Sequence, residues 1–285
     1  MHPTRLTNLP APAKLNLFLH ITGRRENGYH ELQTLFQILE YGDKLDIEII
    51  DKPAIIVQPS LKGVPAERNL VYRAASLLQA TCHINQGASI TLNKRLPMGA
   101  GLGGGSSNAA TTLLALNLLW RCNLDTRALK ELGLQLGADV PLFIEGHTAW
   151  AEGIGEILTP VTLPESWFLV LTPDCEVSTA EIFRNQELTR NTSPIKIAAF
   201  LEGATRNDCQ HVVGRLYPAV RNTLDLLGKY TPCRMTGTGS SVFARFQTKS
   251  EAEQVFEKLP SSLKGFVSRG VNESPLIRLL QNTFL

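Results

Sequence analysis

Cysteine and histidine are scarce in this 285-residue sequence, and neither gathers into a metal-binding or disulfide-like pattern. The six histidines form no His-Glu-x-x-His motif, and the five cysteines contain no Cys-x-x-Cys pair. An odd number of widely spaced cysteines is typical neither of a disulfide framework nor of a zinc site. We therefore predict reduced and mostly buried thiols at Cys82, Cys122, Cys175, Cys209 and Cys233.

The sequence also lacks an excess of one charge and a long apolar run. Its formal net charge is +2, and lysine and arginine form no stripe of the kind that binds nucleic acid. Thr111, Thr112 and Asn117 interrupt the longest apolar stretch, which stays below the roughly 20 residues of a membrane-spanning helix. No secretory leader is visible at the N-terminus. We expect a cytoplasmic protein that binds neither nucleic acid nor membrane.

What the sequence does contain is enough apolar material for two hydrophobic cores. Its 43% hydrophobic content is ordinary for a globular protein. Its length exceeds the roughly 100–150 residues of a typical domain. Glycines and prolines punctuate the middle of the chain at Gly153, Gly155, Pro160 and Pro164. We predict one domain over residues 1–157 and a second over residues 158–285, in a monomer or a homodimer.

The first predicted element is a strand over residues 13–22, where leucine and isoleucine occupy every second position. A period of two over this length predicts a half-buried strand. Lys14 and Asn16 share the face opposite the leucines and lie about 7 Å apart along the strand.

Further elements follow without strict strand–helix–strand alternation. Asn69 is placed to cap a helix, residues 88–92 form the next strand, and a helix that is apolar almost all round begins near Ser106. A short helix covers residues 128–136, and Ser178-x-x-Glu181 predicts a capping box that opens a helix carrying Phe183. The mixture favours an α+β fold over a doubly wound sheet.

A glycine-rich loop over residues 97–107 leads directly into the apolar helix, and five of its eleven residues are glycine. Glycine allows positive φ angles and lets a ligand approach the backbone closely. The free N–H groups and the positive end of the dipole at a helix N-terminus favour an anion. Ser106 and Ser107 can cap the helix or donate hydroxyl groups to phosphate or Mg²⁺. The loop therefore predicts a phosphate-binding site.

Two familiar phosphate loops fit this segment poorly. A P-loop requires Gly-Lys-Ser/Thr, and no lysine lies between Gly99 and Ser107. A dinucleotide-binding fold expects an acidic residue at the end of a second strand, about 20 residues further on. Asp125 stands at that distance but directly follows the helix, with no strand between.

The glycine loop resembles that of the GHMP kinases, which bind ATP through Pro-x-x-x-Gly-Leu-Gly-Gly-Gly-Ser-Ser. The resemblance implies a two-domain α+β fold with the active site in the cleft between an N-terminal ATP-binding domain and a C-terminal domain. It is closest to one member, which belongs to isoprenoid precursor biosynthesis, and runs over almost the whole chain through short motifs in the same order. These motifs cover residues 11–17, 28–34, 97–107, 136–141, 151–156, 207–208 and 236–239.

The family activity is phosphoryl transfer from ATP, with Mg²⁺, to an alcohol. The resemblance implies that Asp139 accepts the proton of the substrate hydroxyl and that Lys14 is its cationic partner. No protein ligand of the metal is assigned. The ATP-binding residues that it implies are Pro97, Met98, Gly99, Ala100, Gly101, Leu102, Gly103, Gly104, Gly105, Ser106 and Ser107.

The closest member acts on a small molecule with a cytidine diphosphate head group, and the resemblance implies such a substrate here. Tyr29 and Phe183 match the aromatic residues that sandwich the cytosine ring, and His30 matches the residue that hydrogen-bonds the edge of the base. Asn16 and Asp139 complete the implied acceptor site. Mevalonate, homoserine and sugar kinases share the glycine loop but would lack the motif at residues 28–34.

Ala100 stands where the family loop usually carries a further glycine. A methyl group there would crowd a phosphate if the φ angle of Ala100 were positive, at a cost on the order of 1 kcal/mol.

Two other kinds of protein remain open at this point. An NAD(P)-dependent oxidoreductase would need the missing strand before Asp125, and a catalytically silent nucleotide-binding module would not need both Lys14 and Asp139.

Overall fold

A computed structural model describes residues 3–26, 28–61, 63–201, 203 and 205–284. Within these ranges the chain forms ten strands and ten α-helices. The strands are β1 (Arg5–Arg24), β2 (His30–Ile50), β3 (Ile55–Gln58), β4 (Gly87–Asn93), β5 (Ala149–Glu152), β6 (Ile157–Pro160), β7 (Ser166–Leu171), β8 (Cys233–Met235), β9 (Val242–Phe246) and β10 (Gly265–Val271). The helices are α1 (Leu70–Thr81), α2 (Gly104–Leu119), α3 (Thr126–Leu136), α4 (Val140–Glu145), α5 (Thr179–Arg184), α6 (Ile197–Leu201), α7 (Gln210–Leu216), α8 (Pro218–Leu227), α9 (Lys249–Glu257) and α10 (Pro275–Phe284).

All ten strands belong to one sheet, and the predicted α+β class is confirmed. The main path runs β3-β4-β2-β10-β7-β9-β8, with β1 and β5 also paired to β2. Strand β10 pairs with β2 on one side and with β7 on the other, so it joins the two halves of the chain. The boundary predicted between residues 157 and 158 falls at the start of β6, which pairs with β5. That boundary stays a prediction.

Three large apolar clusters surround this sheet. One packs helices α1 to α4 against β1, β2 and β4, and a second packs helices α7 to α9 against β7, β8 and β9. The third lies between them around Leu15, Phe18 and Phe168. It also takes in Leu96, Ala100 and Leu102. The glycine loop is therefore anchored in the core rather than free on the surface.

Strand β1 contains the predicted strand but differs from it in two ways. Residues 13–22 are buried on both faces down to Ile21, not on one face, because clusters and neighbouring loops cover both sides. The pairing of β1 with β2 also shifts between Asn16 and Leu19. This bulge moves Leu19 to the same side as Lys14 and Asn16, and all three line one cavity. Strict alternation across residues 13–22 was therefore wrong.

The predicted helix starts are close to those observed. The side chain of Asn69 accepts a hydrogen bond from the backbone N–H of Val71 at 3.0 Å, which confirms the predicted cap of α1. Helix α2 begins at Gly104, two residues before the predicted start, and is buried along most of its length. Ser178 caps α5 through the backbone N–H of Glu181, while the Glu181 carboxylate accepts a hydrogen bond from the Tyr217 hydroxyl.

The five thiols are free, as predicted, but only Cys209 is fully buried; the other four are half-buried. Burial raises the pKa of the Cys122 and Cys209 thiols to about 12, so both stay protonated and unreactive at neutral pH. Among the residues that the structure describes, no helix is both long enough and apolar enough to cross a bilayer.

Candidate active site

A cavity of about 800 Å³ opens between the two halves of the chain. Six segments supply its walls: the β1–β2 hairpin, the glycine loop, the connection between α3 and α4, the β5–β6 turn, helix α5, and the turn between β8 and β9. Most of the predicted site residues lie on these walls. They are Lys14, Asn16, Tyr29, His30, Gly99, Gly101, Gly103, Ser106, Asp139 and Phe183.

Lys14 is the buried cation of this cavity. Its side chain is 5% exposed, and its Nζ lies 3.3 Å from Asp139 Oδ2. The ammonium group also donates a hydrogen bond to Asn16 Oδ1 at 2.6 Å and stands 5.3 Å from the centre of the Phe36 ring. A buried charge is tolerable only where it is paired and hydrogen-bonded, so these contacts fix the position of the ammonium group.

Asp139 lies in the turn between helices α3 and α4. Val140 and Pro141 begin the second of these two helices. Asp139 occupies the N-cap position of α4, yet its side chain makes no capping hydrogen bond. The carboxylate is 32% exposed. It therefore faces both Lys14 and the cavity, where a bound hydroxyl group could reach it.

Asn16 links the two halves of the site. Its backbone N–H donates to Thr236 Oγ1 at 2.9 Å, and its side-chain amide donates to Thr34 Oγ1 at 3.0 Å. Thr236 in turn donates to the Gly101 carbonyl at 3.3 Å. The Asn16 Oδ1 atom accepts the hydrogen bond from Lys14, so the network also orients the ammonium group.

The glycine loop approaches β1 and a second glycine turn, at residues 236–239, so closely that side chains would not fit. Gly99, Gly101 and Gly103 all have positive φ angles, as the glycine-rich sequence predicted. A Cβ atom on Gly101 would lie 2.4 Å from the Thr236 carbonyl oxygen, and one on Gly103 would lie 3.0 Å from Lys14 Cγ. The loop is thus a rigid wall of the site.

Ala100 fits the loop without strain. The positive φ angles of the loop belong to its glycines, and Ala100 is not among them. Its methyl group packs into the central apolar cluster, and its carbonyl accepts a hydrogen bond from the Ser241 N–H at 3.1 Å. The steric conflict with a phosphate that a positive φ would create does not arise.

A second cavity of about 310 Å³ lies across the glycine loop from the first. Gly99, Gly101, Gly103 and Ser106 line both cavities, so the loop is the wall between them. The remaining loop residues from 97 to 105 line the second cavity alone. Ser107 is different: it is fully buried, and its hydroxyl has no hydrogen-bond partner among the described residues. Of the two predicted serines, only Ser106 reaches the cavities.

Asp43 supports the glycine loop, and sequence reasoning missed it. Its buried carboxylate accepts hydrogen bonds from Lys94 Nζ at 2.5 Å and from Asn108 Nδ2 at 3.0 Å. It also accepts from the backbone N–H groups of Arg95 and Leu96 at 2.6 and 2.8 Å. These contacts clamp both ends of the glycine loop. The groups that Asp43 binds lie about 50 to 65 residues further along the chain, so no local sequence pattern predicted these contacts.

The far end of the first cavity carries Tyr29, His30 and Phe183. Tyr29 is 60% exposed on the turn between β1 and β2, and His30 is buried at the start of β2. The Phe183 ring stacks on His30, with ring centres 4.8 Å apart and planes inclined by 26°. Burial lowers the pKa of His30, and the positive charges of Arg190 and Arg24 lower it further. His30 is therefore neutral at pH 7.

Arg190 is the second residue that sequence reasoning missed. Its Nε donates to His30 Nε2 at 3.1 Å, and its Nη2 donates to the Phe183 and Asn185 carbonyls at 2.9 and 2.7 Å. Its Nη1 donates to the Leu188 carbonyl at 3.0 Å. Nothing in the surrounding sequence identifies this arginine. Every residue type offers a backbone carbonyl, and the histidine lies 160 residues away.

The second glycine turn is held by the Asn207-Asp208 motif. The Asn207 amide donates to the Met235 and Gly237 carbonyls, both at 2.8 Å. Asp208 accepts from the Ile21 N–H at 2.8 Å and from the Thr192 hydroxyl at 2.7 Å. This motif therefore ties the turn to strand β1.

The structure removes the dinucleotide-binding alternative. Asp125 caps α3 by accepting a hydrogen bond from the Ala128 N–H at 2.8 Å, and it follows α2 without an intervening strand. The acidic strand end that a dinucleotide fold requires is thus replaced by a helix cap.

Two family models match the chain. The GHMP kinases N terminal domain covers residues 69–147, and the GHMP kinases C terminal model covers residues 186–265. A 4-diphosphocytidyl-2-C-methyl-D-erythritol kinase of Pseudomonas syringae pv. syringae is 57% identical over 273 residues, which is 96% of this chain and 97% of that protein. A protein of the same name from Pseudomonas fluorescens is 56% identical and covers 99% of both chains.

Solved structures match the fold over nearly the whole chain. The crystal structure of a 4-(cytidine 5'-diphospho)-2C-methyl-D-erythritol kinase superposes with a TM-score of 0.82 at 33% identity, covering 94% of this chain and 99% of that one. A homoserine kinase from Cytophaga hutchinsonii superposes with a TM-score of 0.67 at 17% identity, covering 97% of each chain. The second match shows the fold alone.

Proposed function

The chain belongs to the GHMP kinases and, among them, to the 4-diphosphocytidyl-2-C-methyl-D-erythritol kinases, and on this premise we propose that its cavity phosphorylates the same acceptor. The resemblance carried by the glycine loop and its companion motifs is thereby confirmed. The reaction transfers the γ-phosphate of ATP to the 2-hydroxyl of 4-diphosphocytidyl-2-C-methyl-D-erythritol, giving the 2-phosphate and ADP. It takes place in the cytoplasm, on the non-mevalonate route to isoprenoid precursors.

One observation carries the proposal: an ion pair suited to phosphoryl transfer shares a cavity with three rings suited to a nucleobase. Lys14 and Asp139 stand 3.3 Å apart at one end, and Tyr29, His30 and Phe183 stand at the other. A substrate that carries both an alcohol and a cytidine diphosphate would span the two ends.

Asp139 is proposed to accept the proton of the attacking hydroxyl. The transition state of phosphoryl transfer is loose, so base strength matters less than the position of the nucleophile. Lys14 stabilises the negative charge that grows on the attacking oxygen and on the transferred phosphoryl group. Its buried ammonium group is already oriented by Asp139 and Asn16, so little reorganisation is needed during the reaction.

The glycine loop is proposed to hold the ATP phosphates between the two cavities. Gly99, Gly101, Gly103 and Ser106 line both cavities, so a nucleotide in the smaller one would extend its phosphates toward Lys14 and Asp139. The N-terminus of α2 directs free N–H groups and a positive dipole end at this point. The close backbone approach at Gly101 and Gly103 keeps the loop in shape.

Mg²⁺ is expected to accompany ATP, as it does in phosphoryl transfer generally. Within the described ranges, no three histidine, cysteine or acidic side chains gather closely enough to hold a metal ion by themselves. Mg²⁺ commonly takes several ligands from phosphates and water and only one or two from the protein. The Asp139 carboxylate and the Ser106 hydroxyl fit that requirement, and the ion would neutralise phosphate charge.

At the base end, Tyr29 and Phe183 are proposed to enclose the cytosine ring, with His30 at its edge. The Phe183 ring already stacks on His30, so it lies next to the imidazole that would meet the edge of the base. Stacking of this kind contributes about 0.5–1.5 kcal/mol beyond the burial of area. Asn16 and Asp139 would contact the methylerythritol part near Lys14.

The experiment is an ADP-release assay with purified protein, ATP and Mg²⁺ across a panel of acceptor alcohols. We expect ADP release with the cytidyl substrate and only background release with mevalonate, homoserine or galactose. An Asp139→Asn protein provides the background of uncoupled ATP hydrolysis. Equal turnover of any other acceptor would contradict the substrate assignment, and no turnover of any acceptor would favour a silent nucleotide-binding module.

A further inference from the structure

Arg190 makes four hydrogen bonds that join the two sides of the base end. Two of them go to the C-terminal carbonyls of α5, at Phe183 and Asn185, and one goes to the Leu188 carbonyl. The fourth goes to His30 Nε2, on the other half of the chain. Arg190 is half-buried and does not line the cavity itself. Its influence on a bound base must therefore pass through the residues that it holds.

The bond to His30 decides where the imidazole carries its proton. The Arg190 Nε–H is a donor that cannot lose its proton, so His30 Nε2 must accept. A neutral imidazole that accepts at Nε2 carries its hydrogen on Nδ1. The His30 pKa is lowered by burial and by Arg190 and Arg24, which agrees with a neutral ring. The ring nitrogen left to serve a ligand in the cavity is then a donor.

We propose that Arg190 is a positioning residue for base recognition, which holds His30 as an Nδ1–H donor directed at the acceptor edge of the pyrimidine. This inference rests on the proposed function, because it assigns a role in binding the cytidyl head group. Cytosine carries an unprotonated N3, which accepts a hydrogen bond, whereas uracil carries a proton there. A donor fixed on His30 would therefore favour cytosine over uracil at this end of the cavity.

Arg190 also fixes Phe183, which stacks on the same imidazole ring. A loss of Arg190 could thus weaken substrate binding by loosening α5 rather than by changing His30. The two routes make different predictions, since only the second depends on the imidazole.

The first test uses the unaltered protein and ¹⁵N NMR of its histidine side chains. The two ring nitrogens of a neutral histidine have different ¹⁵N shifts, according to which one carries the hydrogen. We expect the His30 signals, assigned by their loss in His30→Asn, to report the Nδ1–H form at pH 7.5. An Nε2–H form would overturn the proposal. This measurement needs no turnover, so it separates failure of this inference from failure of the proposed function.

The second test compares Arg190→Met with a matched control, Arg215→Met. Arg215 pairs with Glu187 on the segment that leads to Arg190, but its contact lies on the surface, away from His30. We expect Arg190→Met to raise the KM for the cytidyl substrate about tenfold, with kcat and the KM for ATP within twofold of the unaltered protein. We expect Arg215→Met to change none of the three. Equal effects of the two substitutions would overturn the proposal.

The third test repeats Arg190→Met in a His30→Asn protein, as a double-mutant cycle. If Arg190 acts through the imidazole, its tenfold effect on the cytidyl KM should fall below twofold once the imidazole is gone. An undiminished effect would assign Arg190 to the support of α5 alone and overturn the proposal.

A fourth measurement compares the cytidyl substrate with its uridyl analogue. We expect the preference in kcat/KM for the cytidyl substrate to shrink about tenfold in Arg190→Met, since His30 is then free to present either tautomer. An unchanged preference would contradict the role in specificity.

Discussion

The two ends of the large cavity differ in how firmly the fold holds their side chains. At the phosphate end, Lys14 lies on the long strand β1 with its side chain 5% exposed, and the opposing loop is fixed by close backbone contacts. At the base end, Tyr29 lies on a turn and is 60% exposed, while Phe183 lies on the six-residue helix α5. The phosphate end belongs to the core, and the base end is attached to it.

The difference follows from what each end must do. Transfer of a phosphoryl group requires the reacting atoms to be held within a fraction of an ångström, which packed strands and rigid turns achieve. Recognition of a flat ring tolerates small displacements, because stacking energy changes slowly with position. Recognition residues can therefore lie on surface segments, provided that a contact such as the one from Arg190 ties them together.

The largest effect is expected from a substitution that impairs the phosphate end alone. Asp139→Asn should lower kcat at least 100-fold, because the base that accepts the hydroxyl proton is lost, while the Kd for ATP changes less than threefold. Steady-state kinetics and calorimetric ATP titration measure the two quantities. Asp225→Asn is the control, since that carboxylate forms only an exposed i,i+4 pair with Arg221. Retained turnover in Asp139→Asn would remove Asp139 from the role of base.

The next effect tests the rigidity of the loop. Gly101→Ala should lower the free energy of unfolding by about 2–3 kcal/mol, because its Cβ would lie 2.4 Å from the Thr236 carbonyl oxygen at a φ of +75°. Gly99→Ala is matched in backbone strain at a φ of +63°, but its Cβ would meet only Glu176 Cγ at 4.0 Å. It should cost about 1 kcal/mol. Urea denaturation of both proteins checks the contrast, and equal losses would refute the close-contact explanation.

A smaller effect should appear when the base end alone is changed. Tyr29→Ala should raise the KM for the cytidyl substrate about tenfold, because one face of the base loses its stacking partner, and leave the KM for ATP unchanged. Steady-state kinetics in each substrate measure this. Tyr230→Ala is the control, because Tyr230 is exposed and does not line either cavity that shares the glycine loop. A rise in both KM values would show that the two ends are not independent.

The smallest effect is a difference in pH dependence between the two ends. Burial, Arg190 and Arg24 hold the His30 pKa below its ordinary value of 6.5, so the neutral form of His30 still predominates at pH 6.5 and the protonated form takes over at lower pH. Protonation places a hydrogen on Nε2, which breaks the bond from Arg190. We expect the KM for the cytidyl substrate to change less than about twofold between pH 7.5 and 6.5 and to rise as the pH falls further.

The KM for ATP, measured from pH 5.5 to 8 in the same buffers, should not follow that rise. His30→Asn should abolish the acidic limb in the cytidyl KM. A limb that begins above pH 7 would contradict the lowered pKa of His30.

Local patterns predicted the elements that depend on neighbouring residues. The Asn69 cap, the apolar α2 helix and the positive φ angles of the loop glycines all follow from short-range geometry, and the structure contains each of them. The strand over residues 13–22 was predicted, but its bulge was not, because a bulge depends on the partner strand. That bulge is what brings Leu19 to the same side as Lys14.

The sequence by itself determined the kind of protein: a glycine loop before a buried helix, and motifs in the order of a kinase family, were enough to predict phosphoryl transfer. Only the tertiary structure decided how the site is held. Asp43 accepts hydrogen bonds from backbone N–H groups 52 and 53 residues away, and Arg190 donates one to an imidazole nitrogen 160 residues away. Such partners leave no spacing in the sequence, because the distance between them exists only once the sheet has joined the two halves of the chain.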